Sequence, residues 1–282
     1  MENLGYYNGK IGLLEDMQVP MLDRACYFGD GVYDATCAHN HVIYSLEEHI
    51  DRFFNSAKLL DINIPHTKAE LSEILKDLVK KVDSGDQFVY WQVTRGTAIR
   101  NHQFGQSNFK GNIWVMLTPA APANTYVKVK LATEKDTRFY HCNIKTLNLI
   151  PSVMASEKAR LAGVDETVLY REGGRVTECA HSNISILKDG VFRTAPLDCL
   201  ILPGIARKHL IKMCGQLNIP VDETPFYLDD LMNADEVIVS SSSNFCLQAT
   251  EIDGKPVGGK APTLLAALQK ALVDDYEAYC GK

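Results

Sequence analysis

The alternation of apolar and polar positions divides the chain into short strands and amphipathic helices. Tyr6-Tyr7-Asn8-Gly9-Lys10-Ile11-Gly12-Leu13 sets Asn-Gly between two short runs, the signature of a tight hairpin. Two glycines in Phe28-Gly29-Asp30-Gly31-Val32-Tyr33 predict a turn with close backbone approach. Residues 32–36 and 41–44 read as strands joined through Asn40. Ser45-Leu46-Glu47-Glu48 has the form of a capping box, with Ser45 as N-cap and Glu48 at N3. It opens a helix whose apolar positions Ile50, Phe53, Phe54, Ala57 and Leu60 recur at three and four. Thr67-Lys68-Ala69-Glu70 repeats the device ahead of Leu71, Ile74, Leu75, Leu78, Val79 and Val82. Residues 88–94 and 112–117 read as buried strands, so the first part of the chain predicts two capped helices on a sheet.

Thr118-Pro119-Ala120-Ala121-Pro122-Ala123-Asn124 has no periodicity and two prolines, which makes it the linker candidate. The expected organisation is an N-terminal α/β domain over 1–118, a linker over 119–125 and a C-terminal domain over 126–282. After the linker, strands dominate. They are expected over 126–132, 166–170, 175–178, 183–187 and 237–239, with turns at Glu172-Gly173-Gly174 and Lys188-Asp189-Gly190. Helices are expected over 152–162 (ended by Gly163), from Ile205 after Pro203-Gly204, and near the C-terminus from about Thr263 to Tyr279. The fold class is therefore mixed α+β and α/β in two domains, a smaller N-terminal one and a larger strand-rich one.

Composition narrows the function classes. With 282 residues, 46% of them hydrophobic and 23% charged, the chain has the make-up of an ordinary globular protein. A net charge of -6 argues against a nucleic-acid partner. No apolar stretch approaches the roughly 20 residues that span a bilayer, so no membrane association is expected. The eight cysteines form no C-x-x-C pair and no metal-ligand spacing, which fits free thiols, no metal and a cytoplasmic location. G-x-S-x-G, Walker A, H-E-x-x-H and a strand-to-helix G-x-G-x-x-G are all absent.

The segment Asn143-Ile144-Lys145-Thr146-Leu147-Asn148 alternates as a half-buried strand, with Ile144 and Thr146 on one face and Lys145 on the other. That leaves a solvated lysine and a pocket lysine both open. The second would be a nucleophile able to form a Schiff base with a carbonyl cofactor. Gly204-Ile205-Ala206 opens a helix, whose free N–H groups and positive end suit an anion. The serine run 240–243 after a strand offers hydroxyl donors, and Arg52 on its capped helix offers a guanidinium fork. Arg100 and His102 stand two apart in a loop, a spacing that lets both face one carboxylate if the loop is extended. Glu178 closes a strand just before Cys179-Ala180-His181-Ser182-Asn183.

Five ordered stretches carry a resemblance. They are Phe28-Gly29-Asp30-Gly31-Val32-Tyr33, Glu48-His49-Ile50-Asp51-Arg52, Gln92-Val93-Thr94-Arg95-Gly96-Thr97 with Arg100-Asn101-His102-Gln103-Phe104, Ile144-Lys145-Thr146-Leu147-Asn148-Leu149, and Val176-Thr177-Glu178. Along nearly its whole length the chain resembles the fold-type IV pyridoxal-phosphate aminotransferases, and within them the D-amino acid branch. The resemblance implies pyridoxal 5'-phosphate as cofactor, and a D-amino acid and a 2-oxo acid as substrates of ping-pong half-reactions. It also implies a homodimer. Lys145 matches the Schiff-base lysine that shuttles the α-proton, Glu178 the carboxylate at the pyridine nitrogen, and Arg52 the phosphate-binding arginine. The amides of Ile205 and Ala206 and the Ser242 hydroxyl match the phosphate cup, with Ser241 close to the substrate or ring. Tyr33, Arg100 and His102 match the group that holds the substrate carboxylate, and a loop such as 100–104 would reach the neighbouring subunit's site.

Branched-chain L-amino acid aminotransferases and aminodeoxychorismate lyase share this lysine and phosphate cup, and are the alternatives the resemblance leaves. Three stretches depart from the family pattern. Cys179-Ala180-His181 replaces a run that is often Gly/Ser-rich. Thr36-Cys37-Ala38-His39 follows Tyr33 where a pocket wall is expected. Ala206 stands where a threonine is common, which keeps the amide but removes a hydroxyl donor worth about 0.5–1.5 kcal/mol.

Overall fold

The computed structural model describes residues 1–104 and 109–281. The chain forms two compact units, Met1–Pro122 with Ile144–Asn148 and Glu277–Lys282, and Ala123–Asn143 with Leu149–Tyr276.

The first unit is a six-stranded antiparallel sheet with two helices on it. Its elements are β1 (Leu4–Tyr7), β2 (Lys10–Gly12), α1 (Ala25–Phe28), β3 (Gly31–His39), β4 (Val42–Ile43), α2 (Leu46–Leu59), α3 (Lys68–Val79), β5 (Gln87–Thr94) and β6 (Asn112–Pro119). The strand order is β2-β1-β6-β5-β3-β4. Asn8 and Gly9 make the hairpin turn with positive φ, as their types demand. Alternation on β6 turns Ile113, Val115 and Leu117 inward, where they meet Phe53, Leu71, Leu75 and Trp91.

Two local expectations differ from what is observed. Thr67 makes the full capping box with Glu70, but Ser45, at φ 50° and ψ 36°, makes no capping bond with its side chain. A capping hydroxyl needs an extended N-cap, and Ser45 is left-handed. The stretch at Lys145 is not a strand either: it pairs at one bridge, Val32 with Thr146. Its alternation survives as burial, with Ile144 and Thr146 covered and Lys145 half-buried. β4 pairs only with Ala38 and His39, so the opposite end of β3 takes up this short stretch instead. Gly31 makes the approach possible, because a Cβ there would sit 2.6 Å from the Leu147 side chain and 2.6 Å from the Val93 carbonyl.

The second unit is a nine-stranded mixed sheet with helices. It contains β7 (Lys128–Lys135), α4 (Ile150–Ala162), β8 (Glu166–Tyr170), β9 (Val176–Cys179), β10 (Asn183–Lys188), β11 (Val191–Thr194), α5 (Ile205–Gln216), β12 (Val221–Asp222), α6 (Leu228–Met232), β13 (Glu236–Ser240), β14 (Leu247–Ile252), β15 (Lys255–Pro256) and, up to Tyr276, α7 (Pro262–Cys280). The order is β12-β11-β10-β13-β14-β7-β8-β9, with β15 on β14. The sheet curls: β9, at one end of that order, passes straight into β10 over residues 180–182, and the Cys179 N–H donates to Ser182 O at 2.7 Å. Val129, Leu131, Val168, Val176, Ile184, Ile186, Val237 and Ala249 fill the core inside the curl. Among the described residues no helix is long and apolar enough to cross a membrane.

Candidate active site

In the first unit the backbone of Lys145 is held on both sides. Its N–H donates to Ser56 Oγ at 3.2 Å, and its carbonyl accepts from the Tyr33 N–H at 2.9 Å. Asn148 Nδ2 donates to Gly29 O at 2.9 Å, which closes the far end of the stretch. The Lys145 ammonium lies 4.4 Å from the centre of the Tyr33 ring, and that ring stacks on Tyr90 at 5.3 Å. Burial, and secondarily Tyr33, push the Tyr90 hydroxyl well above its ordinary pKa, so it stays protonated and donates to Gln92 Oε1 at 2.8 Å.

Arg52, on the inner face of α2, is buried and turns one edge onto Asp34. Nε donates to Oδ2 at 2.9 Å and Nη2 to Oδ1 at 2.6 Å. His49 Nδ1 lies 2.8 Å from Asp34 Oδ1. Asp34 and His49 are both 0% exposed. Burial works to raise the Asp34 carboxyl, but Arg52 and His49 outweigh it and hold it well below the usual carboxylate range. Burial also pushes the His49 ring below its ordinary value, against the pull of Asp34, so the ring is neutral and donates.

Arg100 and His102 are exposed and share one platform. The Arg100 guanidinium lies 4.9 Å from the centre of the Phe28 ring, and the His102 ring lies 4.8 Å from it. Tyr33 stands with Lys145 rather than with this pair, and among the described residues no contact joins Tyr33 to Arg100 or His102.

The second unit assembles a separate set. Glu178 is buried at the end of β9; Oε1 pairs with Arg138 Nη1, while Oε2 accepts from Asn183 Nδ2 at 2.9 Å and from the Leu202 N–H at 3.0 Å. Asn183 Nδ2 also reaches Leu202 O at 3.1 Å, and Asn183 pairs with Ser240 across β10 and β13. Asn183 thereby links Glu178, the start of α5 and the serine run. Gly204 is the N-cap of α5, with no capping side chain, and leads into Ile205 and Ala206. A Cβ on Gly204 would fall 1.9 Å from Asn183 Oδ1, so only glycine fits there. Ser241 Oγ lies 3.2 Å from Ser243 Oγ in the turn that holds Ser242. Behind Glu178, Arg138 makes a two-bond pair with Asp136, which Arg171 also approaches at 3.1 Å.

A family model described as amino-transferase class IV matches residues 31–252. The chain belongs to the class IV aminotransferases. It is 39% identical over 273 residues to a D-alanine aminotransferase of Listeria monocytogenes serotype 1/2a (strain 10403S), covering 95% of this chain and 94% of that one. It is 35% identical over 284 residues to a D-alanine aminotransferase of Bacillus licheniformis, covering 95% and 97%. Among solved structures it is similar to a T.th. branched-chain amino acid aminotransferase complexed with N-(5'-phosphopyridoxyl)-L-glutamate. There the TM-score is 0.87 at 26% identity, over 98% of this chain and 97% of that one.

Four residues of this class IV aminotransferase escape a reading of the sequence: Asp34, His49, Arg138 and Asn183. Asp34 follows Tyr33 on the opposite face of β3, and His49 lies one turn before Arg52, so their elements are legible but their pairing is not. Arg138 meets Glu178 across 40 residues of chain, and no local pattern signals that.

Proposed function

We propose that this class IV aminotransferase is a D-amino acid aminotransferase. It moves an amino group from a D-amino acid such as D-alanine to a 2-oxo acid such as 2-oxoglutarate, with pyridoxal 5'-phosphate, in ping-pong half-reactions. The donor set fits that cofactor: an amine for its carbonyl, a buried carboxylate for its ring nitrogen, and an uncapped helix start with serines and an arginine for its phosphate. When bound, pyridoxal phosphate supplies the carbonyl that takes the amino group and the ring that takes up the electron pair left behind when the α-proton departs. Lys145 Nζ would hold the cofactor at that carbonyl and, once the substrate amine had taken its place, would accept the proton from the substrate α-carbon and pass it on. Glu178 holds a proton on the ring nitrogen, and Arg138 and Asn183 hold Glu178. The amides of Ile205 and Ala206, the Ser242 hydroxyl and Arg52 bind the phosphate; Ser241 sits by the ring or substrate.

The observation that carries the D-amino acid reading is the gathering of Arg100 and His102 on Phe28, a guanidinium and an imidazole whose N–H groups suit a carboxylate. Tyr33 is the third member of that carboxylate site. Because the pair and Tyr33 form separate groups within one chain, we assign the pair to the site of a second copy in a homodimer, as expected for a cytoplasmic enzyme of this kind. Purified protein loaded with pyridoxal phosphate should lose its visible absorption band on adding D-alanine and keep it with L-leucine. Bleaching by L-leucine alone makes it a branched-chain enzyme. Release of pyruvate and 4-aminobenzoate from aminodeoxychorismate makes it the lyase. Mixing and reassociating Lys145→Ala and Arg100→Ala proteins should raise activity at low D-alanine above that of either protein alone, because one site of the mixed dimer is then intact. No recovery, with dimers exchanging, places the pair in its own chain's site.

A further inference from the structure

Residues 22–28 run beside residues 94–102. The two stretches are joined by the bridge of Asp23 with Thr97, the Arg24 N–H to Gly96 O at 3.0 Å and the Ala98 N–H to Leu22 O at 3.0 Å. Tyr27 adds its hydroxyl to the Ala98 carbonyl. All of these ties end at Ala98. Beyond it, Ile99 is 82% exposed, and Arg100, Asn101 and His102 are exposed as well. Left there, the stretch would be a loose loop end carrying two long side chains, with the rotamer freedom of both to lose on binding.

One side chain of the joined stretches reaches further. Arg24 Nη1 donates to Asn101 O at 2.6 Å, on the backbone between Arg100 and His102. Arg24 itself is 2% exposed and immobilised: Nε donates to Asp30 Oδ2 at 2.7 Å, and Asp30 is held in turn by Arg95 Nε at 3.0 Å. Its guanidinium also lies 4.9 Å from the centre of the Phe28 ring, the same ring that carries Arg100 and His102. A second local bond, Gln103 N–H to Asn101 Oδ1 at 3.2 Å, shapes the turn after His102. An arginine suits this place because its planar fork bonds Asp30 on one nitrogen and the Asn101 carbonyl on another; a lysine brings one nitrogen.

We propose that Arg24 is a positioning residue for the substrate carboxylate, acting through the Arg100–His102 pair with Phe28 as their shared platform. It aims the peptide between these two side chains without touching the substrate. The proposal rests on the reading of that pair as the carboxylate group, and holds whether the pair serves its own chain or a second copy.

The test is a double-mutant cycle on KM and kcat for D-alanine in the holoenzyme, with the Kd for pyridoxal phosphate measured alongside. R24K should raise KM by about tenfold, the loss of one charge-assisted bond, with kcat falling less and the cofactor Kd unchanged. R100A should raise KM more, and R24K added to R100A should raise it little further, since Arg24 acts through Arg100. Phe28→Leu, which leaves both Arg24 bonds in place, should raise KM in the same direction and covers the case in which R24K does not fold. If R100A raises KM while R24K and Phe28→Leu do not, the positioning role is overturned and the carboxylate pair stands. Additive effects of R24K and R100A, or a fall in kcat and cofactor affinity with KM unchanged, reduce Arg24 to a structural ion pair and overturn it equally. If R100A leaves KM unchanged, the carboxylate reading fails and the proposal falls with it.

Discussion

Each unit of the molecule sets an arginine against a buried carboxylate, and the two clusters use the pair in opposite senses. In the first, Asp34 is the inner member, wholly covered, and Arg52 is the outer one, with His49 as a second donor on the aspartate. In the second, Glu178 carries the proposed cofactor contact, and Arg138 lies behind it with Asp136 and Arg171. Burial works to lower the Arg138 pKa, but Asp136 and Glu178 outweigh it, so the guanidinium stays charged beside them. In both, the support has the sign opposite to the group presented: a carboxylate behind the cation proposed for the phosphate, a cation behind the carboxylate proposed for the ring nitrogen. A buried charge is costly alone, so a functional charge of either sign needs a counter-charge behind it.

The largest effects should come from removing the supports. Asp34→Asn removes the counter-charge of buried Arg52, and Arg138→Met removes that of Glu178 and leaves Asp136 to Arg171; each should cost about 3–5 kcal/mol of stability in urea unfolding. What separates them is the readout in the folded enzyme. Asp34→Asn should weaken the Kd for pyridoxal phosphate and keep most of kcat once saturated, whereas Arg138→Met should slow kcat with the Kd less affected. A swap of those two signatures would show that the supports are not specialised. Next in size, Glu178→Gln should lower kcat on the order of 10²-fold, the scale of losing one aimed electrostatic partner, with cofactor affinity little changed. A variant as fast as the wild type removes Glu178 from the chemistry.

How much of this is legible in the sequence depends on how local each feature is. The sheet and helices of the first unit follow from period-two and period-3.6 patterns, and the Thr67 cap from four adjacent residues. The alternation around Lys145 does report its burial, yet a strand does not form, because the end of β3 left uncovered by β4 offers a single bridge. Ser45 has the residue type of a cap but a left-handed backbone, which the residue type cannot reveal. The proposed site residues can be named by resemblance, while their supports cannot. Asp34 reaches Arg52 across 18 residues and Arg138 reaches Glu178 across 40, and such pairings exist only once the sheets have formed. Asn183 is visible only as the last letter after Glu178; its link to Leu202 and Ser240 comes from the curl of the second sheet.

The smallest effect separates the clusters by pH. The first contains a histidine whose pKa is pushed below its ordinary value mainly by burial, and Arg52 and Lys145 push it the same way against Asp34. The unfolded chain, with an ordinary histidine near pH 6.5, therefore takes up a proton before the folded one does as the pH falls. Stability from this group is fully present above that value and is lost as the pH drops towards the folded pKa, at up to about 1.4 kcal/mol per pH unit. Asp34 adds to the loss only from the ordinary carboxylate range downward, since its folded pKa is also depressed. In the second cluster the carboxylates pair with arginines; the Asp136 pKa is lowered because Arg138 outweighs burial, so its share of the acid loss begins only in the carboxylate range. His49→Gln should therefore flatten the dependence of Tm on pH between about 6.5 and 5 while leaving the steeper fall at lower pH. Arg138→Met, compared over the same range, should lower Tm without changing that slope. Equal slopes in wild type and His49→Gln would take the histidine out of the acid response, and with it this difference between the two clusters.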